Sequence, residues 1–554
     1  MNLPAWFAPG ARNTLLGRIL AAAALAAGLW VSSDGITSEG AYFSQGDAAR
    51  YLMNGVFLHD LIRSDVLLDP ASLMTHAERY YARYPALSLG HHPPLLPASL
   101  VPAMLTFGVS VFSARLTLVA FFLLAVWLTY KVTSQLYDQV AGGWAALLLA
   151  TSPNLAYFSR RILSEIPTIA LVLLTFACIQ HFKRSGRWRD FVLVLCAAAA
   201  TVMCRPTAVY VAPAYVVWLL HGGGSRHLRH PWILATTLAG VGLLLAGAVV
   251  YLLASPFNSA VVGRVLARGL EWTALTGMAQ AVTRDLPLFG AAAAGLMVAL
   301  LQRDKTAVMP FAWLVSVLAC AVVLTGSIEA RRYTIPMVPA LCLAAASLAS
   351  ASRGWPLRAV GSVTLAIVAM AQVTALAGRP TPEAPGYEAA ARFVAHAARG
   401  GTVLYSAPVD SGYFIFFVRK HDIHQRVVIL RADKVLTTSL MNEVSVENRI
   451  DNPDDIDDIL RRYGTRFIVI EDRPSGSKVL DWLRDVLRSD QFVERGRFPI
   501  GDGGRGLEDV SLAVFEYLQA TPPAPGARID INIPLVGRRI MVPLSDLLSA
   551  GGTE

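Results

Sequence analysis

The sequence predicts an α-helical polytopic membrane protein of about eleven transmembrane helices, followed by a C-terminal soluble α/β domain. Three observations predict it. Hydrophobic residues make up 54% of the 554-residue chain and charged residues only 16%, against about 25% charged in soluble globular domains. Apolar runs of about 17–25 residues, the length that crosses a bilayer, recur as far as residue 377. Beyond residue 378 the runs shorten to strand length and alternate with helical stretches.

The candidate spans are 13–32, 115–132, 139–157, 165–182, 190–204, 206–220, 231–254, 286–302, 306–325, 334–351 and 357–377. The first follows Arg12, contains Arg18, lacks a convincing cleavage site and is followed by further spans, so it is expected to stay as an anchor. The fifth and sixth are short and separated by Arg205-Pro206: two tilted spans or one re-entrant hairpin, either of which preserves the sidedness downstream. All five cysteines lie in apolar stretches, so no disulfide framework is expected.

The net charge of +9 points to basic cytoplasmic loops, not to nucleic acid. With the N-terminus inside, the short basic connections fall on the cytoplasmic side: Lys131, Lys183 to Arg189, Arg226 to His230, Arg303 with Lys305, and Arg353 with Arg358. The stretch His91–Gly108 must then lie at the interface and not cross, which its prolines at 93, 94, 97 and 102 favour. The outside receives a long first loop (about 33–114), the turn Ser159–Glu165, the loop from about Pro256 to Asp285, and the turn Ser327–Tyr333. Arginines retained there suggest an anionic ligand; helix-end anchoring by snorkelling is the plain alternative.

The membrane part is expected to end at residue 378, with a proline-rich linker at 379–385. Strand-like runs at Thr402–Tyr405, Arg426–Leu430, Arg466–Ile470 and Val510–Tyr517 alternate with helical stretches at Tyr387–Ala398, Asp454–Tyr463 and Ser477–Ser489. They delimit an extracytoplasmic α/β domain at 386–520. The tail at 521–554 has an apolar alternation near Ile529–Val542 with no assigned place.

Two external acids stand near span ends. A helix beginning near Asp47 puts Asp47, Arg50 and Tyr51 on one face: a catalytic carboxylate at a cavity mouth, or an ordinary surface ion pair. Glu165 follows Arg160-Arg161 and precedes Pro167, which suits a first helical turn, where the helix dipole alone is a sufficient reason for a carboxylate. His91 and His92 are adjacent and would point to different faces, making them poor joint ligands for one metal. No zinc spacing, phosphate loop, Ser-His-Asp arrangement or nucleic-acid signature is present.

Taken in order, the motifs are Asp47-x-x-Arg50-Tyr51, His92-Pro93-Pro94-Leu95 running to Phe107-Gly108, and Ser113-Ala114-Arg115-Leu116. Ser159-Arg160, Ser164-Glu165-Ile166-Pro167, Arg205-Pro206-Thr207 and Arg331-Arg332-Tyr333-Thr334-Ile335-Pro336 with Pro339 follow. Over residues 13–351 this order resembles the C-type membrane glycosyltransferases, in the branch of protein O-mannosyltransferases and lipid A aminoarabinose transferases. The resemblance implies an inverting transferase that takes sugar from a polyprenyl-phosphate-linked donor to an acceptor (protein, lipid or glycan) on the extracytoplasmic face of the plasma (inner) membrane. Its N-terminus would be cytoplasmic and its C-terminal domain outside.

On that resemblance Asp47 would be the general base, and Glu165 would position acceptor or sugar. Arg50, His92, Arg160, Arg331 and Arg332 would hold the phosphate, and Tyr51 and Tyr333 would close the pocket or donate to phosphate. Relatives often carry a second acid straight after the catalytic one. Here it is Ala48, so no cofactor is certain and a divalent metal stays open as a possible one. Membrane lipid is an expected partner and nucleic acid is not. The alternative of a transporter or flippase of a lipid-linked or anionic substrate would favour internal repeats and mid-membrane charge. No repeat is visible, and the charges cluster at the external ends, Arg205 being the one that lies closest to an exception. A third reading, an anchored binding module, does not need so many spans.

Overall fold

The computed structural model describes residues 15–42, 46–88, 90–221, 231–253, 263, 279, 282–324, 332, 334–350, 355–377, 381–398, 400–407, 412–439, 446–473, 476–501, 509–533 and 538–549. Contacts divide the chain into two compact units. The first comprises Met1–Asp34, Leu116–Val249 and Val262–Pro380; the second comprises Gly35–Arg115, Val250–Val261 and Thr381–Glu554. Compactness thus groups the chain differently from a cut at residue 378, which follows composition.

The helices begin with α1 (Leu15–Ser33), α2 (Asp47–Ile62), α3 (Pro70–Arg83), α4 (Leu95–Phe107), α5 (Val111–Leu136) and α6 (Gln139–Thr151). They continue with α7 (Pro153–Ser159), α8 (Glu165–Ser185), α9 (Trp188–Cys204), α10 (Ala212–Leu220) and α11 (Pro231–Leu253). Among the described residues, four helices are long and apolar enough to cross a membrane: Leu15–Ser33, Val111–Leu136, Glu165–Ser185 and Pro356–Leu376. Several other expected spans are broken by proline, which cannot donate to the helical ladder. Pro153 restarts the third run as α7. Pro206 turns the sixth into a 3-10 segment, Pro206–Val211, before α10. The tenth becomes a 3-10 turn, Ile335–Met337, and a short helix, Val338–Ala346.

In the first unit α1 and α6 touch backbone to backbone. A methyl group at Gly17 would lie 2.7 Å from Gln139 Cβ, and one at Gly143 only 2.5 Å from Leu20 Cβ, so only glycine permits this approach. Asp138 starts α6 by accepting from the amides of Val140 and Ala141 at 2.9 and 3.1 Å.

Polar contacts join the helix ends as an up-and-down arrangement requires. Arg358 meets Asp138 at 3.6 Å, Lys183 Nζ donates to the Trp218 carbonyl at 2.9 Å, and His181 lies 3.4 Å from Asp190. All six belong to ends expected on one side. At ends expected on the other, Arg160 Nε donates to the Val31 carbonyl at 2.7 Å and pairs with Asp34 at 3.0 Å. There too Asp285 accepts from Ser152 at 3.1 Å and from Gln372 at 3.1 and 3.0 Å.

The second unit is built on a five-stranded sheet in the order β2-β1-β5-β7-β6. Its strands are β1 (Gly401–Ser406), β2 (Val427–Arg431), β5 (Thr465–Glu471), β6 (Phe492–Pro499) and β7 (Ser511–Tyr517). β1 runs parallel to β2 and β5, with Leu404 beside Leu430 and Ile468; β7 is antiparallel to β5 and β6. The parallel strands β1 and β5 are buried along nearly their whole length, as expected of strands covered on both faces.

The helix Gly386–Ala398 packs on β6 and β7, and the helix Gly412–His421 packs against both Gly386–Ala398 and α2. Residues 412–419 of that second helix are all buried. Two small ladders complete the unit: β3 (Thr437–Ser439) with β4 (Val446–Asn448), and β8 (Arg528–Ile533) with β9 (Arg538–Pro543). The unassigned alternation near Ile529–Val542 is this second hairpin, which pairs Ile529 with Val542 and buries both.

Candidate functional site

The candidate residues fall in both units.

In the second unit, Gly46 adopts a left-handed φ of 55°, which lets the chain turn sharply into α2 and makes Asp47 its first residue. Asp47 keeps 30% of its side chain exposed, and its Oδ1 lies 3.6 Å from Nε2 of the buried His92. One turn along α2 the Tyr51 ring packs on the His92 imidazole, with centroids 4.5 Å apart. The segment carrying His92 is held by α2 itself. Asn54, buried two turns after Asp47, accepts from the Ser88 amide at 3.0 Å, and the His92 amide donates to the Ser88 carbonyl at 3.2 Å. One helix therefore carries the carboxylate and fixes its imidazole neighbour.

Arg50 is half-buried and within electrostatic reach of Tyr81 and Lys434. Burial, then the charge of Arg431, push the Lys434 ammonium down to about 8; Asp433 opposes this, while Arg50 and Arg449 add to it. Arg50 thus joins a basic neighbourhood supplied by residues 431–449.

In the first unit, Glu165 is the first residue of α8 and is buried. Its Oε1 accepts from Arg205 Nη1 at 2.8 Å and from Arg332 Nε. Pro206 forces the residue before it out of helical geometry, and Arg205 is extended at φ −154°, ψ 111°. That break ends α9, and Nε of Arg205 donates to Thr207 Oγ1 at 2.9 Å. Two guanidinium groups share one carboxylate.

Arg160 is drawn to the end of α1 and not into this cluster. Arg331 and Tyr333 lie outside the described residues. Among the described residues no three His, Cys, Asp or Glu side chains converge to hold a metal ion.

The structure brings together Asp47, Tyr51 and His92 in one unit, and Glu165 with Arg332 in the other. Two functional candidates escaped the sequence reading. Arg205 registered as the break between two apolar runs, as part of the Arg205-Pro206-Thr207 motif and as a charge near mid-membrane, but not as a site residue. Asn54 stands alone in the apolar run Tyr51-Leu52-Met53-Asn54-Gly55-Val56-Phe57, and nothing in the sequence points to Ser88 as its partner.

Residues 91–251 match the family described as dolichyl-phosphate-mannose-protein mannosyltransferase. That stretch carries His92, Glu165 and Arg205. In fold the chain is similar to ArnT from Cupriavidus metallidurans in the apo state, with a TM-score of 0.57 at 14% identity over 91% of this chain and 98% of that one. It is equally similar to the same protein bound to undecaprenyl phosphate, with a TM-score of 0.57 at 13% identity over 91% and 99% of the two chains. The arabinofuranosyltransferase AftD from Mycobacteria matches with a TM-score of 0.51 at 14% identity, over 92% of this chain and 40% of that one. A comparison with curated proteins gives no match.

The chain has the fold of the C-type membrane glycosyltransferases, the resemblance already carried by the order of its motifs. Over residues 91–251 it resembles, more narrowly, the branch that uses dolichyl-phosphate-mannose.

Proposed function

We propose that this protein is an integral-membrane inverting glycosyltransferase that moves a sugar from a polyprenyl-phosphate-linked donor to an acceptor nucleophile on the extracytoplasmic face. The observation that carries the reading is Asp47: a part-exposed carboxylate at the first residue of a helix, with His92 3.6 Å away. An acceptor hydroxyl attacks the anomeric carbon while its proton passes to Asp47, which must come within hydrogen-bonding reach of it. The bond between that carbon and the phosphate oxygen breaks, and its electron pair leaves on the polyprenyl phosphate. Attack opposite the departing phosphate inverts the anomeric centre.

The growing phosphate charge calls for fixed cations, which lower the barrier only if they act where charge develops. Within the first unit, Arg205 and Arg332 are the candidates for that role. Glu165, with both arginines on one oxygen, then acts by positioning them and not by touching the sugar. The similarity to a structure bound to undecaprenyl phosphate supports this donor class. The arrangement of Arg160 with Asp34 and Val31 supports a helix-end role for that residue.

The test uses the purified full-length protein, a panel of radiolabelled polyprenyl-phosphate sugars and a membrane extract as acceptor source, comparing wild type with Asp47→Asn. Loss of a general base lowers transfer by about 10²–10⁴-fold, and the donor that is consumed identifies the sugar. Transfer unaffected by the substitution removes Asp47 as the base. A wild type that consumes no donor sets the enzyme reading aside in favour of transport.

A further inference from the structure

The second unit also contains a cation-lined groove whose residues take no part in the bond-making step proposed above. It is open, about 870 Å³ in volume, and lies between the helix Gly386–Ala398 and the strands β5, β6 and β7. On the helix side, Arg392, Phe393 and His396 recur at the three-to-four-residue spacing that places them on one face. On the strand side are Arg466 of β5, Arg495 of β6 and Glu516 of β7.

Glu516 organises the strand side. Its Oε1 accepts from Nε and Nη2 of Arg466 at 2.9 and 2.8 Å, and its Oε2 accepts from Nε of Arg495 at 2.7 Å. Among the described residues this leaves Nη1 of Arg466 and both terminal nitrogens of Arg495 available to a further acceptor. Among the described residues the Arg392 side chain engages Glu388, through Nη2 at 3.2 Å, and that carboxylate also takes Lys420 and His421. Positive charge is therefore in excess along the groove. The half-buried Phe393 adds a ring to the lining, propped by Phe498 at 5.8 Å between centroids.

Exposed ion pairs contribute at most about 1 kcal/mol each, so stability gives little reason for three arginines to line one concavity. Ligand chemistry gives a better one. Guanidinium forks match carboxylate and phosphate oxygens in pairs, and an aromatic ring in the same lining can take the C–H face of a sugar ring. Ligand pockets commonly measure about 300–1,000 Å³, and an open groove of this size admits a chain from either end. We infer that this groove binds an acidic saccharide, a sugar chain bearing carboxylate or phosphate groups. Resting on the transferase reading, it is the docking point of the acceptor.

The experiment is isothermal titration of the full-length protein in neutral detergent with four probes: an oligogalacturonate, a mannose-6-phosphate-bearing oligosaccharide, neutral maltohexaose, and phosphatidylglycerol vesicles. The wild type is expected to bind one or both acidic oligosaccharides, more weakly as salt is raised, and to ignore maltohexaose. The carboxylate and phosphate probes distinguish the two sources of charge. Arg466→Gln combined with Arg495→Gln should weaken binding at least tenfold. Arg392→Gln, which leaves the strand ion pairs intact and so guards against a folding defect, should weaken it three- to tenfold.

Binding of neither acidic probe, equal binding by the variants, or binding of the vesicles in preference to both sugars would overturn the inference, the last making the groove a membrane-contact patch. Binding is read without transfer, so the two readings fail separately. Asp47-dependent transfer with no acidic-saccharide binding removes the groove alone. Saccharide binding sensitive to the arginine substitutions, in a protein that consumes no donor, keeps the groove and removes the transferase.

Discussion

Arg419 grips the Asp60 carboxylate with two donors, Nε to Oδ2 at 2.8 Å and Nη2 to Oδ1 at 2.7 Å. Asp60 lies on the last turn of α2, the helix that Asp47 begins, and Arg419 lies on the helix Gly412–His421. Tyr80 of α3 donates to the same carboxylate at 2.7 Å. Burial raises the Asp60 carboxyl, but the His59 hydrogen bond and the Arg419 charge more than offset it, leaving the group below its ordinary value. Both partners are buried. Removing one side of such a pair strands the other charge and costs about 3–5 kcal/mol. Arg419→Met should therefore lower the thermal midpoint of the purified protein sharply, and adding Asp60→Asn should restore part of the loss. An Arg419→Met protein as stable as wild type would show that the pair does not hold α2.

The Glu165 cluster makes a prediction that separates charge from shape. Glu165→Gln keeps an acceptor oxygen but leaves two guanidinium groups without their shared carboxylate. Transfer should fall by about 10²–10³-fold, as when a stabilising donor set loses its placement. Arg205→Lys keeps the charge and loses the fork, and should cost about tenfold. Donor KM and kcat measured for both variants check this, and unchanged kcat in Glu165→Gln would refute the positioning role.

Asn54 offers a test away from any reacting atom. Asn54→Leu deprives the Ser88 amide of its acceptor, at a cost of about 1–3 kcal/mol for a buried polar group left unmet. It also frees the segment that places His92. The expected result is a moderate loss of stability and an altered pH–rate profile for transfer, with donor KM little changed. A profile identical to wild type would leave Asn54 with a packing role only.

Glu388 supplies the pH dependence. The His421 hydrogen bond, then Lys420 and Arg392, outweigh burial and bring its carboxyl down to about 2. The folded value lies below the unfolded one near 4.5. The stabilisation is therefore complete above about pH 4.5 and lost as pH falls toward 2. Unfolding followed from pH 6 to pH 3 should show a steeper acid loss in wild type than in Glu388→Gln. Parallel curves would remove this cluster as a source of acid sensitivity.

Much of the C-terminal sheet was legible because its residues carry the strand period or the helix period openly. Asp454–Tyr463 puts Ile456, Ile459, Leu460 and Tyr463 on one face, and the structure buries those four. Gly412–His421 was not legible. Tyr413-Phe414-Ile415-Phe416-Phe417-Val418 is an unbroken aromatic and β-branched run, and a segment buried all round shows neither period. β6 was missed for the opposite reason: as an edge strand it exposes Glu494, Arg495 and Arg497 and reads as a loop.

At the site, Asp47 and Glu165 stood out as external acids near span ends, although a surface ion pair and a helix dipole were bland explanations for them. Arg205 did not, because its importance depends on which other helix starts meet it. Pro153, Pro206 and Pro336 interrupt helices within apolar runs whose composition alone does not show the break.

The hairpin β8–β9 runs on into a helix, Leu544–Ser549, that returns to α3. Arg83 donates to the Leu547 carbonyl there, and Arg79 pairs with Asp546 at 3.1 Å. Segments that leave the ribosome early are thus fastened by segments that leave it late. During synthesis α2 and α3 must wait, without their partners, while the intervening membrane helices are inserted. The helix that begins at Asp47 lacks these contacts in a nascent chain until residues 381–549 have emerged. A chain halted at residue 380 should show α2 and α3 open to protease, and a chain halted after residue 549 should protect them. Timing, and not only geometry, then sets when α2 and α3 gain these contacts.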